Sequence, residues 1–151
     1  ALKEYMPGCS AGKLRNFGMT IGIRDTYKID SVYNLSDEDV KNECRFEDSV
    51  GIYPEFIDGF GVLVLPTTGR YMHIPYRSLL PKNIKGLLVV GRAIGGSNIA
   101  HAATRNMACC TVTGQGAGVA AAETIKNKTS LNSVNISNVQ KLLSKQNVRV
   151  F

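Results

Sequence analysis

Apolar and polar positions change rhythm several times along this chain, and each change predicts an element. After a Pro7-Gly8 turn signal, Phe17 to Ile23 alternates weakly between apolar and small or polar residues, the period of a strand, and Asp25 to Tyr33 continues extended. At Leu35 the pattern turns helical. Ser36 precedes Asp39 by three positions as in a capping box, Leu35 and Val40 flank it as a hydrophobic staple, and Asp37, Glu38 and Asp39 suit the positive end of a helix dipole. This helix is predicted over about 36–46.

From Val50 to Leu80 the composition shifts to Pro, Gly, aromatic and β-branched residues. Gly61 to Leu65 reads as a strand, Pro66 to Gly69 as a turn and Arg70 to Pro75 as a second extended run, so the simplest arrangement is an antiparallel hairpin or meander. Leu87 to Val90 is apolar without alternation, the mark of a strand buried on both faces as in a parallel sheet. Gly91 ends it. The loop Arg92 to Ala103 carries Gly95, Gly96, Ser97 and Asn98, and Thr104 is predicted to cap a helix reaching about Lys126. Gly114, Gly118 and Ala122 lie four apart on one face, where a neighbour can approach the backbone closely. Ile136, Val139, Leu142 and Leu143 have helical spacing before an extended Val148 to Phe151.

The expected fold class is therefore α/β, mixed helix and strand: an antiparallel β-rich part over 1–82, a strand, loop and helix over 83–127, and a terminal helix and tail over 128–151. At 151 residues and 44% hydrophobic content the chain has enough apolar material for one folded domain, or for parts of two cut from something larger. A formal charge of +6 permits anion binding, yet the basic residues are scattered in ones and twos from Lys3 to Arg149, with no stripe. We therefore expect no nucleic-acid partner. The apolar runs are far shorter than a membrane span, so no membrane partner is expected either, and we read a soluble protein with the cytoplasm favoured. Cys9, Cys44, Cys109 and Cys110 lack C-x-x-C spacing and indicate neither a zinc site nor a disulfide framework.

Gly114-Gln115-Gly116-Ala117-Gly118 superficially suggests a nucleotide-binding loop. Val119 stands where the third fingerprint glycine or alanine belongs, however, and no acidic residue follows about twenty positions on. Close helix packing accounts for these glycines better. His101 and Arg105 stand one helical turn apart and could face a ligand together, although a lone His is more often structural; His73 after Met72 and Arg77 after Tyr76 are polar residues among apolar ones at strand ends, a placement that favours a site only modestly over a surface ion pair.

Three phrases then resemble one family. HIPYRSLLPK (His73 to Lys82), GLLVVGRAI (Gly86 to Ile94) and AHAATRNMACCTVTGQGAGVAAA (Ala100 to Ala122) are similar in residue type and spacing to the C-terminal part of FAD-dependent oxidoreductases. Their pattern is I-P-Y-R-x-L-x-P, then N-L-L-V-A-G-R, then A-H-x-x-x-R-x-M-x-x-C-x-x-x-G-Q-A-A-G-x-A-A. Met6 to Gly22, YNLSDEDVKNECRFED (Tyr33 to Asp48) and the tail VQKLLSKQNV extend the likeness over nearly the whole chain. The resemblance implies FAD as cofactor, a substrate-domain portion over 1–82 and the last strand, loop and helix of a Rossmann-like FAD-binding domain over 83–127. It places Gly91, Arg92, Ala93 and Ile94 near the ribityl and pyrophosphate region. The loop and helix start around His101, Arg105, Asn106 and Met107 then fall near the isoalloxazine, where a helix N-terminus stabilises negative charge on the reduced ring, and Ser97 is a further cofactor-binding candidate. Arg24, Tyr76 and Arg77 become substrate contacts for a small organic molecule, and His101, His73 and Arg77 the catalytic candidates; no metal is implied.

The family's R-E-S-R-R appears here as Arg24-Asp25-Thr26-Tyr27-Lys28, which keeps the first arginine and loses most of the rest. Its N-terminal G-x-G-x-x-G segment is also missing from these residues, so we expect a fragment or domain that partners an N-terminal Rossmann segment of the same protein. Such a chain would bind FAD weakly or not at all alone, and its unpaired sheet edge would favour self-association. A non-catalytic interaction or scaffold domain that kept the flavoprotein shape is the alternative.

Overall fold

The computed structural model describes residues 1–25, 27–54, 57–59, 62–64 and 69–151, with the side chains of 58 and 62–64 left aside. It mixes helix and strand. Among the described residues five α-helices, α1 (Leu2–Tyr5), α2 (Asp37–Lys41), α3 (Asn98–Thr104), α4 (Met107–Asn127) and α5 (Ile136–Lys145), accompany four strands, β1 (Ser49–Pro54), β2 (Ile57–Gly59), β3 (Val62–Val64) and β4 (Tyr71–Pro75). The strands form two antiparallel pairs, β1 with β4 and β2 with β3. Ile52 faces His73 and Tyr53 faces Met72, and the register shifts between Ser49 and Ile52. The hairpin expected between the runs at 61–65 and 70–75 is not found among the described residues: β3 pairs with β2, and β4 reaches back past both to pair with β1. The turn expected at Pro66 to Gly69 lies outside the described residues except for Gly69, whose φ of +87° is a glycine conformation.

The capping box forms as read. The Ser36 side chain accepts from the Asp39 N–H and the Asp39 carboxylate accepts from the Ser36 N–H, but the helix stops at Lys41 rather than near residue 46. Glu43 takes a left-handed φ of 53°, and the Cys44 N–H bonds back to the Asp39 carbonyl, which closes the turn early.

The long helix expected from Thr104 is divided. Ser97 caps α3 by accepting from the Ala100 N–H, Arg105 ends it, and Asn106 turns extended to begin α4. α4 ends on Lys128 in the left-handed conformation, with the Lys128 and Thr129 N–H groups bonding the Ile125 and Thr124 carbonyls in a Schellman closure.

β1 packs against both α4 and α5. A Cβ added at Gly116 would lie 2.7 Å from the Val50 Cβ, so α4 approaches β1 at that glycine. The spacing of Gly114, Gly118 and Ala122 predicted a different contact face: Gly114 and Gly118 have nothing within 4 Å of an added Cβ. The shared spacing is real, but the position of Val50 selects the face beside it. Val50, Ile74, Leu79, Val139 and Leu143 are fully buried in the core.

Two predicted strands have no ladder. Phe17, Met19, Ile21 and Ile23 are exposed, and no sheet partner lies beside them among the described residues; alternation alone does not make a strand without one. Leu87 to Val90 is extended but only half covered, with Leu87 42% and Val90 38% exposed. Among the described residues its backbone makes one bond, from the Val89 N–H to the Leu79 carbonyl. Among the described residues, too, no helix is long and apolar enough to cross a membrane.

Candidate functional site

Val90 leads into a short 3-10 turn, Gly91–Ala93, and this junction floors a cleft. Gly91 has φ +69°, and an added Cβ would meet the Cys110 Sγ at 3.6 Å. The Gly91 N–H donates to Thr113 Oγ1 at 3.0 Å, which seats the turn on the first turns of α4. The segment after Ile23 crosses over this turn. An Arg92 guanidinium N–H donates to the Ile23 carbonyl at 3.2 Å, and the Ile29 N–H donates to the Ala93 carbonyl at 3.0 Å.

The resulting cleft has a volume of about 330 Å³ and is lined by Ile23, Arg24, Tyr27, Val90, Arg92, Ala93 and His101. That volume stands at the lower end of the roughly 300–1,000 Å³ usual for small-molecule sites.

His101, on α3, is 3% exposed, and its Nδ1 is buried without a hydrogen-bond partner. Asp25 Oδ2 lies 3.6 Å from that nitrogen. Burial lowers the His101 pKa; the Asp25 carboxylate pulls it upward, while the charges of Lys28, Arg105 and Arg92 reinforce the lowering. Partial burial raises the Asp25 pKa, but the Lys28 hydrogen bond and the charges of His101, Lys28 and Arg105 outweigh it and leave it lowered. The site therefore sets a neutral imidazole beside an ionised carboxylate inside a cationic rim.

Of the residues the sequence singled out, Arg24, Arg92, Ala93 and His101 come together here, with Gly91 between Val90 and Arg92. Ile94 is buried beneath the turn. Ser97 caps α3 and also donates to Asp37. Arg105 closes α3, the Asn106 side chain donates to the Ala103 carbonyl, and Met107 is 88% exposed at the start of α4.

The remaining three do not line the cleft. Tyr76 is buried and donates through its hydroxyl to the Leu131 carbonyl. Arg77 grips Asp48 through Nε at 3.0 Å and a terminal nitrogen at 3.3 Å, and lies over the Tyr33 ring. His73, on β4, accepts from the Phe46 N–H through Nδ1, stacks on Tyr71 and meets Phe151 edge-on.

Sequence reading passed over Asp25, Tyr27, Ile23 and Val90. Asp25 and Tyr27 were visible only as departures from a motif, since nothing local links them to a histidine far along the chain.

A family profile described as FAD dependent oxidoreductase matches residues 1–143. The chain belongs to that family. No curated protein and no solved structure matches it.

The residues of the cleft fit one end of such a cofactor. The donors of Arg24 and Arg92, with the His101 imidazole in the same lining, suit the polar edge of a flavin ring or the hydroxyls of a ribityl chain. The first turn of α4 carries no acidic residue, and its Asn106 cap makes no side-chain bond to it, so these N–H groups keep their positive polarity beside the turn at Gly91.

Proposed function

We propose that the chain contributes the flavin and ribityl side of the FAD site, together with part of the substrate pocket, of an oxidoreductase acting on a small organic substrate. The observation that carries this reading is the convergence of Arg24, Arg92 and the buried His101 on one cleft, from segments far apart in sequence. When bound, FAD would supply the exchange of a hydride with the substrate. The chain's own groups then have distinct tasks. Arg24 and Arg92 attract an anionic or carbonyl-bearing group into the cleft, the α4 amides favour negative charge beside them, and His101, neutral because it is buried, handles a proton. Tyr76 and Arg77, held by Leu131 and Asp48, brace the wall of the β-rich part.

The extended Leu87 to Val90 segment supports a second element of the proposal. Its apolar side chains and nearly unbonded backbone suit a parallel neighbour, which we assign to an N-terminal Rossmann segment of the same protein that holds the adenine half. Purified from its natural source without added cofactor, the protein carrying these residues is expected to be yellow, and Arg92→Ala is expected to lower its flavin content. A colourless protein that takes up no FAD on titration would overturn the reading and leave the scaffold alternative.

A further inference from the structure

We infer that Asp25 is a positioning residue for His101, fixing the imidazole as the Nδ1–H tautomer and leaving Nε2 as the basic nitrogen. This rests on the proton-handling role proposed above for His101, and it gives a task to Asp25, which stands at the acidic second position of the R-E-S-R-R pattern and was assigned none there.

The carboxylate is placed by several independent ties. Lys28 Nζ donates to Asp25 Oδ1 at 3.1 Å and to Asn98 Oδ1 at 3.1 Å, so the lysine links the Asp25 segment to the first residue of α3. On one side the Ile23 carbonyl is held by Arg92, and on the other the Ile29 N–H is held by Ala93. Asp25 is thereby suspended between anchors, with Oδ2 3.6 Å from His101 Nδ1.

The buried Nδ1 has no hydrogen-bond partner. Among the described residues the charged groups that act on the ring are the cations Lys28, Arg92 and Arg105 and the carboxylate of Asp25, which is the one acceptor of that set. A proton on Nδ1 would face the carboxylate; one on Nε2 would leave a lone pair facing it. Catalytic hydrogen bonds are often long in unliganded proteins and tighten on binding, so 3.6 Å is a poised contact. With Nδ1 committed, Nε2 is the nitrogen left to accept a proton.

The test uses proton–nitrogen NMR of the full chain with isotope-labelled histidine. His73 and His101 are the chain's two histidines, so the spectra are simple to assign. Above its titration, His101 is expected as the Nδ1–H tautomer. Asp25→Ala is expected to remove that preference and lower the His101 titration midpoint, with His73 unchanged, and Asp25→Glu to restore the tautomer. A wild-type His101 protonated at Nε2, or an unaltered tautomer and midpoint in Asp25→Ala, would sink the inference. The wild-type tautomer decides even if Asp25→Ala does not fold. Since no flavin is added, failure here is separate from failure of FAD uptake, which would overturn the functional reading and leave the pair standing.

Discussion

Burial acts on both histidines in the same direction. Desolvation lowers the His73 pKa below the ordinary 6.5, with the Phe46 backbone opposing and Arg45 assisting, and burial lowers that of His101 likewise. In the unfolded chain each takes up a proton more readily than in the folded one. The contribution to stability is therefore fully present above 6.5 and is lost as pH falls through that value toward the folded pKa values. Urea midpoints are expected to drop between about pH 7.5 and about pH 5.5, with His73→Gln and His101→Gln each removing its share of the slope. A midpoint independent of pH over that interval would contradict the burial of these rings. Carboxylates such as Asp39, whose pKa is lowered by Ser36 and Tyr33 against its own burial, act in a separate window, with stability lost as pH falls below their ordinary 3.8. At this scale the sequence was partly readable. His101 announced itself by type and position, but its partner Asp25 is joined to it by the fold, through Lys28 and Asn98, and no spacing rule reaches that far.

At the scale of elements, local signals were the legible ones. Ser36 and Asp39 formed their capping box because both partners lie within one turn, and the strand at Tyr71–Pro75 agrees with the extended run read from Arg70. The break at Arg105 and Asn106 was not legible, since it depends on Ser97 capping an earlier helix and on the Asn106 side chain bonding back to Ala103. The glycines of α4 give the clearest test of what spacing leaves undecided. Gly116→Ala places a Cβ 2.7 Å from the Val50 Cβ, forcing β1 or α4 to move, and is expected to cost about 1–3 kcal/mol. Gly118→Ala meets nothing within 4 Å and should gain the ordinary helical preference of alanine, roughly 0.5–1 kcal/mol. Denaturant unfolding of the pair separates the two by sign. Equal and small effects would mean that α4 does not approach β1 at Gly116.

For the whole molecule, the core and the uncovered apolar segments point to different partners. Val50, Leu79, Val139 and Leu143 bury one another within the chain, whereas Leu87 and Val90, on opposite faces of an extended segment, are both substantially exposed. A strand pattern meant for burial on both faces was legible in Leu87 to Val90; what covers it was not, because coverage belongs to neighbours and not to the segment's own residues. Such an edge, whose backbone among the described residues makes one bond, from the Val89 N–H to the Leu79 carbonyl, is a template for pairing. The 151-residue chain is therefore expected to self-associate reversibly as its concentration rises, as sedimentation velocity would show. Leu87→Lys combined with Val90→Lys should return it to a monomer, because a charge on each face opposes pairing from either side. The unfolding midpoint should change little, since neither side chain belongs to the core. In the flavin-loaded natural protein the same pair of substitutions is expected to reduce cofactor content, because there the segment is proposed to be already paired and Val90 also lines the cleft. A chain that stays monomeric at every concentration, together with a doubly substituted natural protein that keeps its flavin, would remove this segment from both roles.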